Sequence, residues 1–267
     1  MPYVPTRDII TYYEEAGSGD PLVLIMGLGG DLQGWALTAP ALAKQFRVIT
    51  YDNRGAGRTS APDKPYTVAG MADDLAALLD ALKIDKAHIL GYSMGGMVAQ
   101  EFALKYPNRV NRLILLATSP GIDGYSRTVV KNWVNARRSN MSRDQIARNN
   151  APFLYTAELL DDAERFERAI QNSVSNPYAQ QDHAFMRQAD AILNFSTADR
   201  LGNIKAETLV VVNKDDILVP PRNGKKLNAG ISGSQLLELE GAHVGVIEYP
   251  NEHNDAFLQF LGAAVPA

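Results

Sequence analysis

The chain has 267 residues, with 26 Lys and Arg against 30 Asp and Glu for a formal charge of −4, and it contains no cysteine. At 46% hydrophobic and 21% charged it has the balance of a globular chain with ample core material, which excludes disordered and low-complexity classes. The acidic balance argues against a nucleic-acid partner, because neutralising phosphates needs a clustered excess of cations, and the missing cysteines remove disulfides, thiolate metal sites and a Cys nucleophile.

The opening MPYVPTRDII has neither a basic stretch nor a continuous apolar one, so no secretory signal is read there. No apolar run approaches the ~18 residues of a spanning helix. A cytoplasmic protein that avoids membranes is the expectation. Residues 3–15 predict an antiparallel hairpin or edge strand, with Ile9, Thr11 and Tyr13 alternating. Leu22–Met26 and Arg47–Tyr51 are short Val/Ile/Leu-rich bursts of strand length. Met71, Leu75, Leu78, Leu79 and Leu82 then fall on one helical stripe. A third burst, Ala87–Gly91, precedes a helical stretch, Met97–Tyr106, which Pro107 stops. The remaining bursts are Arg112–Thr118, Thr208–Val212 and Gln235–Leu239. The first five lack polar alternation, as strands buried on both faces of a parallel sheet do, whereas the sixth alternates and is placed nearer an edge.

Between 121 and 205 the alternation stops. This stretch carries 11 basic and 10 acidic residues, so it is no charged tail, and helical patterns run over Asp161–Val174 and Gln180–Phe195. The reading is an α/β fold: a mostly parallel, doubly wound central sheet flanked by helices. Residues 1–120 and 206–267 form its core, and 121–205 form a helical cap inserted late in the sheet, expected to cover a site as a lid. Ordinary helical packing onto the same core is the plainer alternative.

Gly91-Tyr-Ser93-Met-Gly95 is a G-x-S-x-G pentapeptide, common enough by chance to be weak alone. Its position between a predicted strand and a predicted helix is the context of a nucleophile elbow. There the glycines leave room for a sharp bend, and the serine hydroxyl stands at a helix N-terminus. A serine needs an oriented base. Of the four histidines, His88 lies within a strand as packing, and His183 and His253 are assigned to solvated helix surfaces. His243 sits in a loop directly after the sixth strand, at the sheet edge where Ser93 also lies. The carboxylate that would orient it comes from Asp215 or Asp216, both just after the fifth strand. The order Ser, Asp, His matches one of the three known triad orders. Gly27-Leu-Gly29-Gly30 follows the first strand at the same edge, so the Leu28 and Met94 N–H groups are the candidate oxyanion donors. A dinucleotide fingerprint fails there because Leu32 stands where the third glycine belongs. No cofactor and no metal are implied.

These residues resemble the α/β-hydrolase superfamily over nearly the whole chain. Beyond the elbow, Asp52-Asn-Arg54-Gly55-Ala-Gly57-Arg-Thr-Ser60 resembles the family's D-x-R-G-x-G-x-S turn, whose role is structural. Gly241-Ala-His243 with Glu248-Tyr-Pro250 resembles its G-x-H…E-x-P ending. Aligning Asn213 with the Gly of the family's G-x-x-D implies Asp216, four before Pro220, as the acid. Two positions depart from the pattern: Met26 replaces the usual His of the oxyanion loop, and Asn213 replaces Gly.

The resemblance is greatest to small capped carboxylesterases and 3-oxoadipate enol-lactonase-like members. It implies a serine esterase acting through an acyl-enzyme on a small-molecule ester or lactone, with room for a homodimer. Enol-lactone hydrolysis in aromatic catabolism, C–C bond hydrolysis, perhydrolysis and a hydrolase-fold ligand receptor are the alternatives. Gly27, Trp133, Phe153 and Phe185 are candidate substrate contacts. Arg137 and Arg138 would either clamp a substrate carboxylate or form a solvated helix face.

Overall fold

In the computed structural model, which describes residues 2–139 and 141–263, one eight-stranded sheet organises the molecule. Strand β1 (Tyr3–Thr6) pairs antiparallel with β2 (Ile9–Ala16), and β2 pairs antiparallel with β4 (Arg47–Tyr51). Strands β3 (Pro21–Ile25), β4, β5 (Ala87–Tyr92), β6 (Val110–Leu116), β7 (Glu207–Asn213) and β8 (Gln235–Leu239) run parallel, in the order β4-β3-β5-β6-β7-β8. The N-terminal hairpin and the edge position of the sixth burst, now β8, both match the sequence reading.

Unbroken apolar runs form central strands because both faces are covered. Val23 and Ile25 join one core cluster while Leu22 and Leu24 join the other, the alternation that a pleated strand imposes. Helices α2 (Val68–Ala81) and α3 (Met94–Lys105) cover the first face, and α2 contributes Met71, Leu75, Leu78 and Leu79. Helices α1 (Ala39–Leu42) and α11 (Pro250–Leu261) cover the other. Helix α9 (Pro221–Gly230) packs on the α2 face through Leu227. The α10 turn (Gly245–Glu248) leads into α11. Among the described residues, no helix is long and apolar enough to cross a membrane.

Two histidine assignments need correction. His253 is wholly buried, because it shares the inward stripe of α11 with Phe257 and Leu261, a periodicity the sequence reading did not apply to this segment. His183 is half-buried, and its Nε2 donates to the Ala61 carbonyl at 2.9 Å. His88 is buried as expected, beside Phe46.

Helix α3 starts three residues earlier than its periodicity suggested, directly after Ser93. Its N-terminus is driven against β3, where a Cβ on Gly95 would overlap the Ile25 carbonyl oxygen. Backbone cannot yield as a flexible side chain can. Gly95→Ala is therefore expected to cost about 3 kcal/mol, the upper end of ordinary overpacking. Thermal melts should then show Tm lowered by roughly 6–12 °C.

Between β6 and β7 run α4 (Gly124–Arg138), α5 (Arg143–Asn150), α6 (Ala157–Asp161), α7 (Ala163–Val174) and α8 (Asp182–Leu193). The predicted helix over 161–174 is broken at Asp162, whose carboxylate turns back to accept the Glu164 and Arg165 N–H groups and caps α7. Val130, Val134, Phe185 and Ala189 form a small core of their own between α4 and α8. A polar seam joins this layer to the loop after β4. Gln180 donates to the Gly55 carbonyl at 2.9 Å and Gln188 to the Arg54 carbonyl at 2.8 Å. Asn176 donates to Asp31, in the loop after β3, at 2.7 Å.

At the other end of the layer, Asp123 caps α4 by accepting the Ser126 N–H and also receives Arg222 and Asn223. Burial pushes its carboxyl up, but the Ser126, Asn223 and Arg222 donors outweigh this and hold it at about 2, below the ordinary 3.8. The unfolded chain therefore takes up this proton at higher pH than the folded one. The stabilisation is complete above about pH 4 and lost as pH falls through the folded value. Asp123→Ala should cost about 1–2 kcal/mol near neutrality. Urea titrations at stepped pH should show that gap closing between about pH 4 and pH 2.

Candidate active site

The turn between β5 and α3 gives Ser93 a backbone that few side chains adopt, φ 55° and ψ −120°. It is held from three directions. The Ser93 N–H donates to the Leu116 carbonyl at 2.9 Å, and the Ser93 carbonyl accepts from Gly96 N–H at 2.9 Å and from Thr118 Oγ1 at 2.7 Å. Gly96 is needed because a Cβ there would lie 2.5 Å from the Thr118 methyl. The strain costs on the order of 1–3 kcal/mol and persists because packing overdetermines it. Thr118 escaped the sequence reading, since its role depends on a neighbouring strand end.

Two other loops reach the same rim. His243 follows β8 and Asp216 follows β7, and both are nearly inaccessible. His243 Nε2 lies 3.0 Å from Ser93 Oγ, and its Nδ1 lies 2.8 Å from Asp216 Oδ2. The other Asp216 oxygen accepts the Val219 N–H at 2.8 Å, which fixes the carboxylate plane. With Nδ1 donating to a carboxylate, Nε2 presents its lone pair to the hydroxyl. Asp215 is exposed.

The loop after β3 closes the third side. A Cβ on Gly27 would sit 3.0 Å from Ser93 Cβ, so this glycine lets the loop touch the serine. Among the described residues, neither the Leu28 nor the Met94 N–H has an acceptor. Met94 is the first residue of α3, where unpaired amides and the helix dipole favour negative charge. The D-x-R-G turn supports this loop: Asp52 accepts the Leu32 N–H at 2.8 Å and Asn53 donates to the Met26 carbonyl at 2.8 Å. Met26, standing where the family has His, packs into the space left by Gly34 and Gly30.

Above the rim lies the small apolar cluster between α4 and α8. Trp133 and Phe153 meet edge to face, with ring centroids 6.5 Å apart. Trp133, Phe185 and Leu28 belong to one cluster, and Leu154, next to Phe153, accepts the Val244 N–H at 3.1 Å. The candidate contacts thus bracket the loops bearing Leu28 and His243. The buried Trp133 Nε1 has no acceptor among the described residues. Arg137 is engaged elsewhere, stacked 4.0 Å over Phe185 and bonded to Asp182 at 2.9 Å, while Arg138 is exposed.

The family model described as "alpha/beta hydrolase fold" matches residues 20–250. A relative named "Putative carbamate hydrolase RutD" from Azorhizobium caulinodans is 32% identical over 266 residues, covering 98% of each chain. Among solved structures, the enol-lactonase from Burkholderia xenovorans LB400 superposes with a TM-score of 0.89 at 28% identity, covering 98% of this chain and all of that one. A thermophilic esterase from Thermogutta terrifontis gives 0.85 at 27% identity over 97% of each chain.

Proposed function

The chain belongs to the α/β-hydrolase fold family, and from that premise we propose that it is a serine hydrolase of carboxylic esters working through an acyl-enzyme. The observation that carries this reading is the unbroken contact line Asp216–His243–Ser93, at 2.8 and 3.0 Å. Ser93 Oγ attacks the acyl carbon as His243 Nε2 takes its proton. The Leu28 and Met94 amides hold the oxyanion, a contribution of about 3–4 kcal/mol where one such donor has been removed from other enzymes. His243 then passes its proton to the departing alcohol. In the second half it draws a proton from water, which attacks the acyl carbon, and returns that proton to Ser93 Oγ as the bond between Ser93 and the acyl carbon breaks and the acid leaves. Asp216 keeps the ring oriented and balances the transient imidazolium. The helices over 121–205 act as a cap that excludes water from the acyl-enzyme.

Uncharged esters are favoured over dicarboxylate lactones. The roof offers Trp133, Phe153 and Phe185; Arg137 is committed to Phe185 and Asp182, and Arg138 to Met186. A carbamate is the second reading, supported by the relatives' printed name.

The test is a fluorophosphonate label followed by intact mass and peptide mapping, with a hydrolysis screen over p-nitrophenyl esters, p-nitrophenyl carbamates and an enol-lactone. Labelling at Ser93 with ester turnover is expected. A chain that stays unlabelled, or turnover confined to the lactone, would overturn the ester assignment.

A further inference from the structure

We propose that Asn213 is a positioning residue for this reaction, joining the turn that carries Asp216 to the turn that carries His243, with His253 orienting its amide. The inference rests on reading Ser93, His243 and Asp216 as the reacting set.

Asn213 ends β7 and is buried. Its main-chain carbonyl accepts the Asp216 N–H at 3.2 Å, which closes the acid turn. Its side-chain Nδ2 crosses to the neighbouring loop, donating to the Ala242 carbonyl at 2.7 Å and, at 3.5 Å, to the His243 carbonyl. One residue therefore grips both turns at once. Room for the amide is left by Gly245, where a Cβ would lie 2.7 Å from Asn213 Nδ2.

The amide has only one sensible orientation. Turned over, its oxygen would face two carbonyl oxygens, and both contacts would become repulsive. The two carbonyls select that orientation, and a group on the far side reinforces it. His253 Nε2 lies 2.9 Å from Asn213 Oδ1 and its Nδ1 lies 2.9 Å from the Tyr249 carbonyl, so the tautomer with its proton on Nε2 ties the ring to the amide. The ring is wholly buried and lies edge to face with Phe257. The chain of contacts thus runs from α11 through β7 to the main chain on either side of the His243 Cα.

This placement bears on rate. Both reacting contacts of His243 depend on where its turn sits relative to β7, and a shift of about 1 Å in such a constellation can cost on the order of a hundredfold. The sequence departure at position 213 is therefore a device of this chain.

The experiment compares Asn213→Ala, Asn213→Asp, His253→Leu and His253→Gln in the full chain. Turnover of p-nitrophenyl butyrate is measured as kcat and KM, normalised to the serine titrated by fluorophosphonate, with Tm alongside. Asn213→Ala is expected to lower kcat per titrated serine roughly ten- to a hundredfold with KM held within about threefold. Asn213→Asp conserves volume and keeps the bond from His253, but it replaces the donor to the base turn with an oxygen. It should lose as much kcat without the risk of a cavity. His253→Leu should resemble Asn213→Ala, and His253→Gln, which retains an N–H toward Asn213, should recover most of the loss. The Asn213→Ala/His253→Leu pair should be no worse than Asn213→Ala alone, because both act through one contact.

A fall in Tm with kcat per titrated serine within about twofold of the parent, in both Asn213 variants, would make the residue merely structural and overturn the proposal. A parent chain that fluorophosphonate does not label at Ser93 would instead overturn the hydrolase reading beneath it.

Discussion

Ser93→Ala is expected to lower kcat by on the order of 10⁴–10⁶ and to abolish fluorophosphonate labelling, while the protein remains folded. On the proposed roles the size follows from cooperation: with no nucleophile, His243 and Asp216 have nothing to activate. What survives is the oxyanion pocket acting on water. Stability offers an independent check. Alanine inherits the φ of 55° at this position and so keeps the strain, whereas glycine relieves it. Relief of about 1–3 kcal/mol outweighs the ~0.5–1 kcal/mol that glycine adds in unfolded-chain entropy. Ser93→Gly should therefore be inactive yet melt above Ser93→Ala. Equal melting temperatures would mean that the elbow stores no usable strain.

Asp216→Asn is expected to cost about 10⁴ in kcat, the loss seen when the acid of another triad is made an amide. The contacts explain why geometry alone does not rescue it. An amide can still accept the Nδ1–H, but its NH2 can equally donate to Nδ1 and so favour the tautomer whose Nε2 proton points at Ser93. Asp215→Asn, one residue earlier, should leave kcat/KM within about twofold, because that side chain is exposed and outside the contact line. The paired measurement decides between two neighbouring carboxylates that the sequence alone left open. Reversal of the two results would move the acid to Asp215.

Much of the scaffold was legible because the deciding forces are local or periodic. Leu22–Met26 lacks polar alternation, and in the structure Leu22 and Val23 enter opposite cores. Gly91, Gly95 and Gly96 around Ser93 announced a tight bend, and each excludes a Cβ in the structure. Ser93, Asp216 and His243 could be nominated because parallel strands deliver their ends to one rim. Legibility failed where the deciding partner lies far off in the chain. His253 reads as a polar helix residue, yet its partner is 40 positions upstream in β7. Asn213 resembled a weakened motif because its amide finds Ala242 only after β7 and β8 have paired. The helix expected over 161–174 is present as α7 from Ala163, but the short α6 before it went unread, because only the Thr156 and Asp162 cap hydrogen bonds set it apart.

The seam between the helical layer and the loop after β4 has an evolutionary corollary. Three donors on the layer, Gln180, His183 and Gln188, meet the main-chain oxygens of Gly55, Ala61 and Arg54. Every residue type supplies a carbonyl, so point substitutions in the lower loop leave these three acceptors in place. Heritable tuning of these three fasteners must then come through the layer's own side chains, whereas Asp31 and Asp63, whose carboxylates receive Asn176 and Arg187, can be tuned from below. Divergence in how firmly the layer is held should accumulate at Gln180, His183 and Gln188, while the three main-chain acceptors persist whatever side chain replaces their own.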